Sequence, residues 1–277
     1  MGVNMDLVLG PIVLAVVVNA VLYGTCVVQW YTYWISGFKD PWHTKVLIYW
    51  VMFLDTFHTC ATVWMLWSFT VDNFGNLAIF AHLPWAYPTT PIFIALASMP
   101  VQWFLAYRIK VLSHSWIVFG GICLLSLAQG GCGIAGGILA TLISNVADFK
   151  ILIPVATSWL GIAVFTDVLI TAALFFYLRR SKTGFSKTDT IIERLIRTAI
   201  ETAAVGAIFC IIDVIVFATK GDTNLHFFFA LPQGRIYTNT LMLTLNSRSG
   251  LREHLHSNDP QSISLAVRSC GGNEVRD

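Results

Sequence analysis

The chain has 277 residues, 56% of them hydrophobic and only 12% charged, with a formal net charge of +2 and a mean hydropathy of +0.69. Soluble domains carry about 25% charged residues, so a disordered chain, a coiled coil, a secreted disulfide scaffold and a nucleic-acid binder are excluded. What is left is an integral, multi-pass, all-α membrane protein.

A helix needs about 20 mostly apolar residues to cross the hydrocarbon core. Seven stretches qualify, at 7–35, 46–69, 91–112, 116–143, 151–178, 198–219 and 225–246. The first is too long for the apolar region of a cleaved signal peptide, and no Lys or Arg precedes it. Pro100 interrupts the third span, and Pro232 with Arg235 interrupts the seventh. Membrane helices tolerate such breaks where neighbours satisfy the freed carbonyls. The connections are short except residues 70–90, an aromatic-rich loop expected to act as an interfacial anchor, with a lid over the bundle as the second reading. Residues 247–277 form a polar tail, expected to be disordered or a short surface helix followed by disorder.

The charges orient this bundle. Of the 17 Lys and Arg residues, all but Lys150, Lys220 and Arg235 fall on one side of a seven-span topology. The positive-inside rule makes that side cytoplasmic, which puts the N-terminus outside and the C-terminus inside. Arg179, Arg180, Lys182, Lys187, Arg194 and Arg197 concentrate there. Anionic lipid head groups account for such a patch; a cytoplasmic signalling partner is the second reading.

Ionisable residues inside a span are expensive and therefore point to function. Asp55, His58, Thr59 and Thr62 share one face of the second helix at i, i+3, i+4 and i+7. Arg235, Asn239 and Asn246 repeat the device in the seventh, and Asp167 with Thr171 in the fifth. These nine residues are expected to form an internal polar cluster, with Arg235 as countercharge to Asp55 or Asp167. The cluster serves as a ligand site or proton-sensitive switch, or else only fixes helix register. One Arg cannot neutralise two carboxylates, so either His58 is charged or one Asp is neutral.

Asp213, His82 and His226 are further candidates toward the outer side. No metal site is expected from them, because no ligand-spacing motif supports one. Gly130, Gly133 and Gly137 have the small-xxx-small spacing of close helix contact, with a homodimer face as the alternative. No catalytic motif occurs, the last span lacks a Schiff-base Lys, and neither an enzyme activity nor a cofactor is expected. Pro232-Gln233 resembles the Pro-Gln loops of sugar and amino-acid carriers, but those families repeat the pair and here it occurs once.

Five strings stand in an ordered series: LDTFH at 54–58, DNFGN at 72–76, QWFLAYRI at 102–109, YLRRSKTGF at 177–185 and LTLNSR at 243–248. As a set they resemble a family of fungal seven-helix membrane proteins known only as domain of unknown function 6534, over roughly residues 10–253. The resemblance places Asp55, His58, Asn73, Gly75, Arg108, Asp167, Arg179, Arg180, Asn239 and Asn246 at motif positions. It implies the topology and a fungal source, and no activity. Topology and buried charge together favour a receptor- or sensor-like protein, ahead of a small-solute or proton-coupled transporter and a structural or interaction protein.

Overall fold

A computed structural model of the protein describes residues 5–76, 79, 84–143, 151–180, 204–220 and 223–257. The long elements among them are helices: α1 Met5–Val8, α2 Gly10–Ile35, α3 Trp42–Trp67, α4 Ala86–Ser113, α5 Trp116–Leu142, α6 Ile153–Arg180, α7 Ala204–Thr219 and α8 Phe227–Ser257. Five are long and apolar enough to cross a membrane, namely Gly10–Ile35, Trp42–Asp72 (α3 with the π-turn Ser68–Asp72 that extends it), Ala86–Ser113, Trp116–Leu142 and Ile153–Tyr177. α7 is a shorter apolar helix. The start of its expected span, 198–203, lies outside the described residues, as does the tail from 258 onward.

Local sequence accounts for the ends of these helices. Pro11 sits in the first turn of α2, where a missing N–H costs nothing. Gly37 turns the chain toward α3 at φ +59, a conformation that glycine adopts without strain. α4 closes on His114 in the left-handed region (φ 54), whose N–H reaches the Lys110 carbonyl. Ser115 then caps α5, its side chain accepting from the Val118 N–H. The Lys110 ammonium lies 3.4 Å from the centroid of the Trp116 ring and closes this tight hairpin from outside.

Several boundaries move from their expected places, α3 beginning at Trp42 rather than 46. α4 begins at Ala86 rather than 91, because Pro88 falls in its first turn and Pro91 is carried inside the helix. The long loop expected over 70–90 is correspondingly shorter, and His82 within it lies outside the described residues. At the other end of the chain, α8 runs on to Ser257, past the expected span limit of 246 and into the tail, for which a short helix was one of the two expectations.

Pro100 does not break α4. A proline removes the N–H that would bond the carbonyl four residues back, here that of Leu96. The Trp50 indole N–H of α3 donates to that carbonyl at 3.0 Å. A neighbouring helix thus supplies the missing bond, as the bilayer interior demands.

α2 and α8 run parallel. At one end the Asn224 side chain donates to the Val8 carbonyl; farther along Asn239 donates to Leu22, and at the other end Asn246 donates to Gln29. Asn239 also accepts from Thr25 and Gln29 and donates to the Arg235 carbonyl, so it stitches the two helices together. The glycine stripe of α5 lies against α4 and α6. A Cβ at Gly130 would meet Met99, one at Gly137 would meet Ile92 and the Pro88 carbonyl, and one at Gly133 would come within 2.9 Å of Trp159 Nε1. Close packing within the chain fills this face, which the sequence also offered to a second copy. α8 occupies the middle of the assembly: its residues 231–238 are all buried, so every side of it meets another helix.

Candidate functional site

Arg235 is the hub of the first polar cluster. It projects from the buried stretch of α8, is 2% exposed, and reaches the face of α3 on which Asp55, His58 and Thr59 are one turn apart. Its guanidinium donates to Asp55 Oδ1 at 2.6 Å, meets His58 Nδ1 at 2.9 Å and donates to Thr59 Oγ1 at 3.1 Å. A guanidinium cannot accept a hydrogen bond, so His58 Nδ1 must accept. The ring proton then sits on Nε2 and points to Thr90 Oγ1 of α4, 3.2 Å away. His58 is neutral in this arrangement, and the Asp55–Arg235 pair balances its own charge. The Phe93 ring stacks on His58 and walls the cluster on the α4 side. Two loose ends stand out. Among the described residues, neither Arg235 Nε nor Asp55 Oδ2 has a hydrogen-bond partner.

Asp167 belongs to a second, separate cluster. Tyr237 of α8 donates to its Oδ2 at 2.7 Å and Gln102 of α4 to its Oδ1 at 3.0 Å. Gln102 also donates to Gln129 Oε1 on α5, and Gln129 in turn to Ser98. No Lys or Arg pairs with this carboxylate among the described residues. Arg235 and Tyr237 lie two residues apart, hence on nearly opposite faces of α8. That geometry settles the countercharge question: Arg235 answers Asp55 and not Asp167.

The other expected members have different roles. Thr62 accepts weakly from Asn19 and donates to the Thr59 carbonyl, two turns along α3 from Asp55. Thr171 spends its hydroxyl on the backbone carbonyl of Asp167 rather than on the carboxylate. Asn239 and Asn246 pin α8 to α2. Asp213 of α7 and His226, just before α8, approach to 3.8 Å. Asp72 accepts from the Trp67 indole. Among the described residues, no three His, Cys, Asp or Glu side chains gather as they would around a metal ion. Arg179 and Arg180 are exposed at the end of α6, with the Arg179 guanidinium over Phe175. The rest of the expected basic patch, Lys182, Lys187, Arg194 and Arg197, lies outside the described residues.

Sequence reasoning missed Thr90, Gln102, Gln129 and Tyr237. The signal is present, since a Gln buried in an apolar helix must find a partner, but neither Gln102 nor Gln129 stands within a helical turn of a charged residue that would mark its face.

Residues 163–250, about a third of the chain, match the model of a family of unknown function, DUF6534. They cover most of α6, then α7 and the part of α8 carrying Arg235 and Tyr237, so both hubs draw on the matched region and on α3 or α4 outside it. No curated protein and no solved structure matches the chain.

Proposed function

We infer that this is a seven-helix receptor- or sensor-type membrane protein, N-terminus outside and C-terminus cytoplasmic, in which the Asp55–Arg235 pair is the lock of a two-state bundle. One observation carries the reading: a fully buried ion pair joins α3 to the central helix, yet leaves Arg235 Nε without a partner among the described residues. Buried pairs of this kind add little stability over apolar packing. A bond that a ligand or a proton can compete for is, by contrast, what a switch requires. The parallel course of α2 and α8 supports an odd number of spans, as seven requires. Arg179 and Arg180 are suited to anionic lipid head groups on the cytoplasmic side, with a docked signalling protein as the further use of that face.

A second reading, proton-coupled transport, is favoured by the Asp167 hub, a buried carboxylate held by neutral donors alone. Spin labels at Trp42 and Leu243, both exposed, test the lock in lipid. Asp55→Asn should add a second α3–α8 distance to the single wild-type one, and an unaltered distribution would remove the lock. Solute or proton flux in proteoliposomes that Asp55→Asn abolishes would shift the assignment to transport.

A further inference from the structure

Between α6, α7 and α8 lies a small cavity whose lining includes Trp159, Cys210, Asp213, Gln233 and Tyr237. Three of these side chains bring a buried polar atom that has no hydrogen-bond partner among the described residues: the Trp159 Nε1–H, Asp213 Oδ1 and Gln233 Oε1. Asp213 and Gln233 are 3% and 5% exposed, so bulk solvent does not serve them. His226 stands 3.8 Å from Asp213 Oδ1, too far for a hydrogen bond. The Gln233 amide is oriented by its own N–H, which donates to Cys210 Sγ at 3.0 Å and leaves the carbonyl free.

The three unmet groups define their ligand. It must accept one hydrogen bond, from the indole, and donate two, to the carboxylate and the amide oxygen. Ammonium or a bare metal cation offers no acceptor to Trp159. An alcohol donates once and would leave one buried oxygen unmet. The free volume, about 10 Å³, is near the minimum that one water needs.

We propose that Trp159, Asp213 and Gln233 form a binding site for a single structural water that joins the Asp213–His226 pair to the Asp167 hub. Tyr237 and Gln129 line the same cavity and both belong to that hub, so the water stands where the two polar groups meet. This site is independent of the lock between α3 and α8, and its failure would leave that reading untouched.

The molecule contains its own control. Cys210 and Cys26 are free thiols, both buried, but only Cys210 lines the cavity. X-ray hydroxyl-radical footprinting of the full chain in lipid nanodiscs oxidises side chains beside bound water, and peptide mass spectrometry reads each thiol. Cys210 should be oxidised well ahead of Cys26 in the wild type. Gln233→Leu should bring its rate down to that of Cys26, and Trp159→Phe, which keeps the ring and deletes the N–H, should lower it as well. Equal protection or equal oxidation of the two thiols in the wild type overturns the proposal, whatever the variants do. So does a Cys210 rate that both variants leave unchanged.

Discussion

Asp55 and Asp167 are both buried carboxylates in the middle of long helices, and both are held by α8, yet they are held by different chemistry. Asp55 meets a guanidinium; Asp167 meets a phenol and an amide. The first carboxylate is neutralised by charge and the second only solvated by dipoles. An ion pair depends on both partners, since the survivor of a deletion is an uncompensated charge in a medium that cannot screen it. A cluster of neutral donors loses one bond at a time. The two sites should therefore respond very differently to equally conservative changes, even though both residues are buried aspartates.

Removing the cation should give the largest effect. Arg235→Met strands Asp55, and the expected destabilisation is about 3–5 kcal/mol, read as lost thermal stability in detergent. Adding Asp55→Leu to Arg235→Met should restore most of it, because an apolar pair of similar volume replaces a buried ion pair at little cost. If the double variant melts at or below the single one, Asp55 and Arg235 are not a pair. At the other hub, Asp167→Asn keeps an oxygen to accept from Gln102 or Tyr237 and strands no charge. Its expected cost is about 1–1.5 kcal/mol, the worth of one ordinary hydrogen bond. A loss as large as that of Arg235→Met would mean that an undescribed cation faces Asp167 and would erase the contrast.

His58 sharpens the same comparison. In the geometry seen, it is a neutral acceptor toward Arg235 and a donor toward Thr90. His58→Asn keeps an acceptor near the Nδ1 position and loses the link to α4, so it should cost about 1 kcal/mol. His58→Lys places a second cation against Arg235 and should be far worse. Equal melting of the two variants would show that His58 carries charge in the native bundle.

Much of this is legible in the sequence, and the limits have physical causes. Asp55, His58 and Thr59 could be placed on one face because helical periodicity alone decides it, and Arg235 was conspicuous because a mid-span charge must be answered. Which carboxylate answered it was not readable. Arg235 and Tyr237 look in opposite directions from α8, and only the rotation of that helix among its neighbours chooses between α3 and α6. The Asp167 hub was less visible still, since Gln102, Gln129 and Tyr237 come from three helices and none carries a charge. The break at Pro100 was expected to need a rescuer. The rescuer, Trp50, is 41% exposed and has no sequence mark that separates it from a lipid-facing aromatic. The last helix overran its expected end because its polar continuation can be helical without being apolar.

Thr171 gives the smallest expected effect and the finest test of where the second hub ends. By spacing it sits one turn from Asp167 and looks like a member. Its hydroxyl instead donates to the backbone carbonyl of Asp167 at 2.6 Å, a bond that serves the helix and not the carboxylate. Thr171→Val keeps the branched shape and removes only that bond, whose acceptor carbonyl already belongs to the helical ladder. The expected change is within about 0.5 kcal/mol, because such back-bonding adds little to a helix. In a double variant with Asp167→Asn, the two effects should add. A coupling of about 1 kcal/mol or more between them would place the Thr171 hydroxyl in the carboxylate's own shell, and the hub would then be bounded by α6 rather than by the amides of α4 and α5.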